Sequence, residues 1–150
     1  MDLNHGKYLA VDYGDKRTGI AECDVSGMLA TGIGTIRESG MRHTAERVAK
    51  EAAERRCKKI IVGLPRNMDG SEGGRASTVR AFVELLATFT DLPIELYDER
   101  MTTMVAYRYL GATETYGKKR RDSVDTLSAE IILQDYLAYE KNKKNEGEQV

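Results

Sequence analysis

The chain is poor in the residue types that build zinc sites and thiol active sites. It has two cysteines and two histidines among 150 residues. Cys23 and Cys57 are far apart and match neither a CxxC pair nor a zinc-ligand spacing. His5 and His43 are equally isolated. The sequence therefore argues against zinc chemistry and a Cys–His catalytic pair. We expect Cys23 to be a strand core residue and Cys57 to lie at a helix end.

The chain also lacks an excess of either charge and any long apolar run. Its formal net charge is -1, which argues against a non-specific nucleic-acid coat protein, although 23 Lys+Arg allow a local basic surface. No run approaches the roughly 20 apolar residues of a membrane span. Residues 1–6 lack the apolar core of a signal peptide. We therefore expect a cytoplasmic protein that has no membrane partner.

A glycine-rich loop at Arg66–Gly74 lacks the Gly-Lys-Ser/Thr ending of a Walker A motif. ATP binding by that route is therefore disfavoured. A simple connection between a strand and a helix explains the composition better than a phosphate-binding loop does. The N–H groups at the start of the next helix could still hold an anion.

The order of periodic segments predicts one α/β domain over residues 1–140, followed by a polar tail over 141–150. Short links join the first three strands, which predicts an antiparallel meander within a mixed five-stranded sheet flanked by helices. The predicted strands are Tyr8–Asp12, Thr18–Cys23, Met28–Ile36, Lys59–Pro65 and Ile94–Glu99. The predicted helices are Arg42–Arg56, Arg75–Phe89, a helix that Gly111 stops, and a last helix from Asp122 or Ser123 to about Tyr139.

Asp12 follows the short apolar run of the first strand. Burial disfavours an ionised carboxylate, so Asp12 needs a hydrogen-bond partner or a cation. Lys16 and Arg17 place two positive charges in the turn that follows. The end of this strand is therefore a candidate site for a metal and a phosphate. The alternative is an aspartate that only forms a turn.

Further acids occur where other predicted elements meet the same end of the sheet. Asp98 and Glu99 end the fifth strand, and alternation allows only one of them to face the same side as Asp12. Asp125 lies in the first turn of the last helix, beside small residues that would let the helix approach the sheet. Each acid has an ordinary alternative: an ion pair for Asp98 or Glu99, and a favourable helix-dipole interaction for Asp125.

Clustered carboxylates need compensating charge, which two Mg²⁺ or Mn²⁺ ions would supply. Two such ions can activate a water and stabilise the leaving oxygen in phosphodiester cleavage. Candidate phosphate contacts are Lys16, Arg17 and the basic run Lys118, Lys119, Arg120 and Arg121. A solvated loop over 113–119 would also explain that basic run.

Four motifs, taken together and in this order, resemble the YqgF/RuvX family of the RNase H-like superfamily. They span the chain from about Tyr8 to Tyr139. The motifs are Val11-Asp12-Tyr13-Gly14 with Lys16-Arg17-Thr18-Gly19-Ile20-Ala21, Val62-Gly63-Leu64-Pro65 with Met68-Asp69-Gly70-Ser71, Asp98-Glu99-Arg100 with Thr102-Thr103, and Val124-Asp125 with Ala129 and Ile132-Leu133. The family's usual Ala-Ala in the last helix is Ser128-Ala129 here.

The resemblance implies an RNase H-like three-layer fold and a metal-dependent nuclease site. It implies Asp12, Glu99 and Asp125 as catalytic and metal-binding residues, and adds Arg100 to the nucleic-acid contacts. The family is assigned to maturation of the 5′ end of pre-16S rRNA, and its members look like Holliday junction resolvases. The expected partners are structured RNA or branched DNA, with the ribosome as a further candidate, and we expect a monomer or a weak dimer.

Three functional interpretations are open at this point besides cleavage of the ribosomal RNA precursor. One is resolution of branched DNA. Another is a non-catalytic module that binds RNA or the ribosome and only retains the acids. A third is an ATPase or sugar kinase, since similar Asp-x-Gly hairpins occur there, but those proteins need two such domains and 150 residues supply one.

Overall fold

The computed structural model describes residues 5–67, 69–98 and 117–148, and within the last range it describes side chains from 125 to 144. Five strands form one sheet in the order β3-β2-β1-β4-β5. The strands are β1 Tyr8–Asp12, β2 Thr18–Cys23, β3 Ala30–Ile36, β4 Lys59–Leu64 and β5 Ile94–Asp98. Strand β2 is antiparallel to both β1 and β3, whereas β4 runs parallel to β1 and β5 runs parallel to β4. The predicted mixed sheet with an antiparallel meander is confirmed.

Three helices cover the two faces of the sheet. They are α1 Met41–Glu54, α2 Gly74–Leu86 and α3 Gly117–Glu148. One core cluster packs α1 and α2 on one face, and a second packs α3 on the other. We call these the α1–α2 face and the α3 face. The predicted helix that Gly111 stops lies outside the described residues. No helix in the described ranges combines the length and the apolar composition that a membrane crossing requires.

Strand β1 is buried on both faces, as its apolar run predicts. Leu9 and Val11 belong to the core under α1 and α2, whereas Tyr8 and Ala10 belong to the core under α3. Because successive side chains alternate between faces, Asp12 projects from the α3 face. This alternation decides which helix can share a site with Asp12.

Several predicted boundaries were wrong. Helix α2 ends at Leu86 and not at Phe89, and α1 ends at Glu54 and not at Arg56. β3 begins at Ala30 and not at Met28, because the Asp24 carboxylate accepts the Met28 and Leu29 N–H groups and holds them in the turn.

The last helix begins at Gly117, so the basic run is helical and is not a loop. Asp125 therefore lies in the third turn of this helix and not in its first turn, as the sequence predicted. The helix also continues past Tyr139 to Glu148. Lys, Arg and Glu are good helix formers, which accounts for both extensions.

The helix stripes and the cysteines follow the sequence pattern closely. On α1 the buried residues recur at intervals of three and four, the spacing of one helix face; they are Thr44, Ala45, Val48, Ala49 and Ala52. Cys23 is a buried residue of β2, and Cys57 is buried just after α1. Both thiols are free. Burial raises the pKa of Cys57 to about 11, so this thiol is a core group and not a nucleophile.

Candidate active site

Asp12 lies at the end of β1, where the sheet opens towards the first turn of α3 that has described side chains. Its cross-strand partner in the antiparallel register is Gly19 of β2. Directly opposed residues on antiparallel strands have Cα atoms about 5 Å apart and share one face of the sheet. Gly19 therefore marks the position on the α3 face immediately beside the Asp12 carboxylate.

The backbone of Asp125 rests directly on that glycine. A Cβ atom placed on Gly19 would lie 1.9 Å from the carbonyl oxygen of Asp125, which no side chain can tolerate. The next residue, Thr126, lies over Gly32 of β3 and its hydroxyl is 3.2 Å from that of Thr35. Glycines on two neighbouring strands thus let α3 approach the sheet closely. At Gly19 the contact is with the backbone of α3, and at Gly32 it is with the Thr126 side chain.

Small residues on α3 contribute to the same close approach, as the sequence predicted. Ser128 and Ala129, one turn after Asp125, are buried against the sheet. The Ser128 hydroxyl has no hydrogen-bond partner among the described residues. A larger side chain at either position would lift this turn away from β2. The structure therefore brings Asp12 and Asp125 to the same end of the same face.

Asp98 does not belong to this group. It pairs in register with Leu64, a core residue of the α1–α2 face, so it projects away from α3. On that side its carboxylate is 4.0 Å from the guanidinium of Arg66. The pairing leaves Asp98 with a structural ion-pair role. Glu99 and Arg100, the other predicted residues of this motif, lie outside the described residues.

The turn between β1 and β2 is compact and internally bonded. The Gly14 N–H donates to the Thr18 hydroxyl at 3.3 Å, and that hydroxyl lies 3.3 Å from the Gly14 carbonyl, to which it donates. A Cβ on Gly14 would lie 2.3 Å from the Arg17 carbonyl oxygen. From α2, Arg75 donates to the Tyr13 carbonyl at 3.2 Å. The sequence offered no signal for Arg75 beyond its place after the glycine-rich loop.

This turn aims Arg17 at Asp125. The Arg17 Nε donates to the Asp125 carboxylate at 3.0 Å, and both side chains are mostly buried. Lys16, the neighbouring predicted phosphate contact, is exposed. The basic run Lys118–Arg121 forms the beginning of α3, and its side chains lie outside the described ones.

Tyr13 anchors the turn to the core below it. Its ring stacks on Phe82 of α2 with centroids 4.3 Å apart. Burial raises the pKa of the Tyr13 phenol, and the nearby Asp15 carboxylate raises it further. The phenol is therefore neutral near pH 7, where it packs against Phe82 as a support for the turn.

The donors at this end of the sheet fit a hard divalent cation. Asp12 and Asp125 offer carboxylate oxygens, the ligands that Mg²⁺ and Mn²⁺ prefer. Within the described part of the chain no three Asp, Glu, His or Cys side chains come close enough to hold a metal ion. The third predicted ligand, Glu99, lies outside that part.

Several known proteins are similar to this chain, and one family model covers most of it. A family model described as "RuvX: Holliday junction resolvase" matches residues 6–139. A protein of Thermoanaerobacter pseudethanolicus with the name "Putative pre-16S rRNA nuclease" is 41% identical over 138 residues, which cover 91% of this chain and 99% of that protein. A Bradyrhizobium protein with the same name is 42% identical over 132 residues, or 88% and 82% of the two chains.

Among solved structures, the fold is similar to that of Thermus thermophilus RuvC in complex with Holliday junction substrate. The TM-score is 0.58 at 15% sequence identity, and the alignment covers 92% of this chain and 97% of that one. At such low identity the similarity concerns the fold alone. It confirms the RNase H-like α/β fold that the four motifs implied.

Proposed function

Because this chain belongs to the RuvX family, we propose that it is a metal-dependent endonuclease that matures the 5′ end of pre-16S rRNA. The observation that carries the proposal is the contact between Asp125 and Gly19, the cross-strand neighbour of Asp12. That contact joins two carboxylates from opposite ends of the sequence at one end of the sheet. Open α/β sheets place their active sites at such an end.

In this proposal, Asp12 and Asp125 hold the catalytic cations together with Glu99. Glu99 is taken from the family resemblance, and Asp98 is set aside because it pairs with Leu64 on the other face. Two Mg²⁺ or Mn²⁺ ions would supply water activation and stabilisation of the leaving oxygen. Burial of the turn against Phe82 keeps Asp12 and its neighbours in place before substrate arrives.

Positive side chains around the two aspartates would bind the substrate backbone. Arg17 and Lys16 lie in the turn that follows Asp12, and Arg75 holds that turn from α2. The basic run Lys118–Arg121 leads into Asp125 on the same helix, and Arg100 follows from the family motif. Contacts to phosphates fix the position of a nucleic acid without reading its sequence, so RNA structure would select the cleavage position.

The RNA substrate and its setting come from the names of the relatives. Proteins about 40% identical to this chain are named for pre-16S rRNA. We place the activity in the cytoplasm, beside assembling ribosomes, where two free thiols stay reduced. A monomer or a weak dimer would suffice, because both described aspartates come from one chain.

Resolution of branched DNA is the second candidate. The family model carries a Holliday junction resolvase description, and the RuvC structure of similar fold holds a Holliday junction substrate. Fold does not decide between RNA and DNA. The two substrates must therefore be compared directly, at one salt concentration, because phosphate contacts make affinity depend on salt.

The test compares wild type with Asp12→Asn on a 5′-extended 16S precursor and on a four-way DNA junction. Loss of the Asp12 charge should slow RNA cleavage by more than about 100-fold, since even the outer partners of a metal site are worth 10- to 100-fold. Asp15→Asn is the matched control, because it removes the same charge from an exposed position three residues away.

Each outcome separates the candidates. Faster cleavage of the junction than of the precursor would favour the resolvase. Tight RNA binding with no cleavage of either substrate, in Mg²⁺ or Mn²⁺, would show a non-catalytic binding module. Equal cleavage by wild type and Asp12→Asn would remove Asp12 from the catalytic site.

A further inference from the structure

We propose that Arg17 competes with the divalent cation for Asp125 and that cation binding releases Arg17 to the nucleic-acid backbone. The inference rests on the proposed function, because it takes Asp125 as a cation ligand. It adds a second role for Arg17, that of a positive charge held within the protein beside Asp125. Metal binding and nucleic-acid binding are then coupled through one side chain.

The ion pair is the first observation behind this inference. The Arg17 Nε lies 3.0 Å from the Asp125 Oδ2, and the two side chains are 29% and 19% exposed. Hydrogen bonds between charged groups are roughly twice as strong as neutral ones, and salt screens partly buried pairs less than exposed ones. Arg17 therefore compensates the charge of Asp125 from within the protein.

The second observation is that a glycine allows close backbone packing beside each partner of the Arg17–Asp125 ion pair. The Gly14 position leaves room for the Arg17 carbonyl, and the Gly19 position leaves room for the Asp125 carbonyl. Neither backbone can move without loss of these contacts. The long Arg17 side chain can rotate about its own bonds, so an exchange of partners needs no movement of the fold.

A cation and a guanidinium cannot both occupy the same carboxylate at low cost. A divalent cation and a guanidinium about 4 Å apart repel each other, and the repulsion is stronger near a protein surface than in bulk water. A cation bound to Asp125 therefore weakens the ion pair between Asp125 and Arg17. A phosphate can then accept hydrogen bonds from the N–H groups of the Arg17 guanidinium. By linkage, a nucleic acid that captures Arg17 strengthens cation binding by the same factor.

The first experiment measures Mn²⁺ binding to the full chain without nucleic acid, from the free-Mn²⁺ signal in electron paramagnetic resonance. Arg17→Gln removes the competitor and should bind Mn²⁺ about fivefold more tightly, as the loss of one modest ion pair implies. Arg42→Gln is the matched control. It removes the same charge from an exposed ion pair on α1, 3.4 Å from Glu46, and should leave Mn²⁺ affinity unchanged.

The second experiment measures the coupling itself. Fluorescence anisotropy gives the affinity for 5′-extended precursor RNA with and without Ca²⁺, used as the probe cation. Ca²⁺ should tighten RNA binding several-fold more in wild type and Arg42→Gln than in Arg17→Gln. Arg17→Lys keeps a positive charge and should restore part of the coupling, which also keeps the test valid if Arg17→Gln is poorly folded.

The direction of the change in Mn²⁺ affinity tests the inference. Equal or weaker Mn²⁺ binding by Arg17→Gln would mean that Arg17 orients Asp125 for the metal, and the inference would be overturned while the proposed nuclease stood. Identical Ca²⁺ dependence of RNA binding in wild type and Arg17→Gln would also overturn it. No Mn²⁺ binding by wild type would instead refute the proposed function, and this inference with it.

Discussion

Helix α3 packs on the sheet differently at two places, which we call the site end and the anchor end. At the site end, Asp125 and Thr126 touch glycines of β2 and β3 through backbone and small side chains. At the anchor end, which runs from Tyr136 to Glu140, large aromatic and charged side chains fill the contact. One helix thus combines close backbone packing at the site end with large, hydrogen-bonded side chains at the anchor end.

The anchor end contains two groups of hydrogen bonds, one around Glu140 and one around Glu95. The Tyr8 hydroxyl donates to Glu140 at 2.6 Å, and the His5 ring meets the same carboxylate at 2.7 Å. The Tyr136 hydroxyl donates to Glu95, whose other partner is Lys59 at 2.8 Å. Burial raises the pKa of both tyrosines, and their bonds to carboxylates raise it further.

The difference teaches how the fold separates stability from chemistry. Because the anchor end fixes the helix, the site end needs no bulky side chains that would exclude water and ions. The one charged pair described there, Arg17 with Asp125, is partly exposed. A ligand can therefore exchange with it at little cost to the fold.

The largest expected effect comes from blocking the close approach at the site end. In Gly19→Ala the new Cβ would lie 1.9 Å from the Asp125 carbonyl oxygen, so α3 must move outwards. Overpacking of this kind costs about 1–3 kcal/mol, and a displacement of 1 Å can lower catalysis about 100-fold. Urea unfolding and precursor cleavage by the same preparation measure the two effects.

Gly74→Ala is the control for that substitution. Gly74 opens α2, and no atom lies within 4 Å of the position of its Cβ. It should leave stability equal or slightly higher, because alanine restricts the unfolded chain. Full cleavage by Gly19→Ala would show that α3 does not set the position of Asp125.

A smaller effect, on stability alone, is expected at the anchor end. Tyr136→Phe removes one buried hydroxyl while the Lys59–Glu95 pair stays, so the free energy of unfolding should fall by about 1–2 kcal/mol. Cleavage per folded molecule should not change. Tyr139→Phe, at a ring that is 45% exposed, should have almost no effect on unfolding. A loss of activity in Tyr136→Phe as large as in Gly19→Ala would erase the distinction between the two ends.

The smallest effect concerns pH and the turn beside the anchor end. The Gln134 side chain of α3 donates a hydrogen bond to the Met28 carbonyl in that turn and accepts one from the Ala30 N–H at the start of β3. Asp24 lies at the centre of the turn. The Ser26 hydroxyl and backbone N–H groups lower the pKa of Asp24 to about 2. A depressed folded pKa stabilises the protein above the unfolded value of about 3.9, and this contribution is lost as pH falls towards 2.

Asp24→Asn should therefore be less stable than wild type above pH 5, by less than about 1 kcal/mol because the carboxylate is exposed. The difference should shrink between pH 4 and pH 2. Thermal unfolding of both proteins across this range gives the measurement. A difference that stays constant with pH would mean that the side-chain shape at Asp24 matters and its charge does not.

The sequence predicted the strands because they depend on local periodicity. The run from Tyr8 to Val11 is such a pattern, and all four residues lie in the core. The start of β3 was wrong because the Asp24 side chain acts on the backbone of Leu29, five residues away. No periodic pattern records a single carboxylate that holds two N–H groups in a turn.

The candidate site was predictable only as a list of residues. The sequence offered Asp12 and Asp125, and left Asp98 and Glu99 as alternatives. Only the register of β5 against β4 shows that Asp98 faces the other side. The contact of Arg17 with Asp125 was equally hidden, because it depends on two steric fits at Gly14 and Gly19 that involve residues far apart in the chain.

The same contact sets the moment at which this protein can begin to work. Arg17 and Asp125 are 108 positions apart, and strands β2 to β5, which lie between them in the sequence, must be synthesised first. During synthesis Asp12 is made long before α3, so Asp12 and Asp125 can meet only after the strands between them have been made. The site therefore cannot assemble before residue 125 has been synthesised.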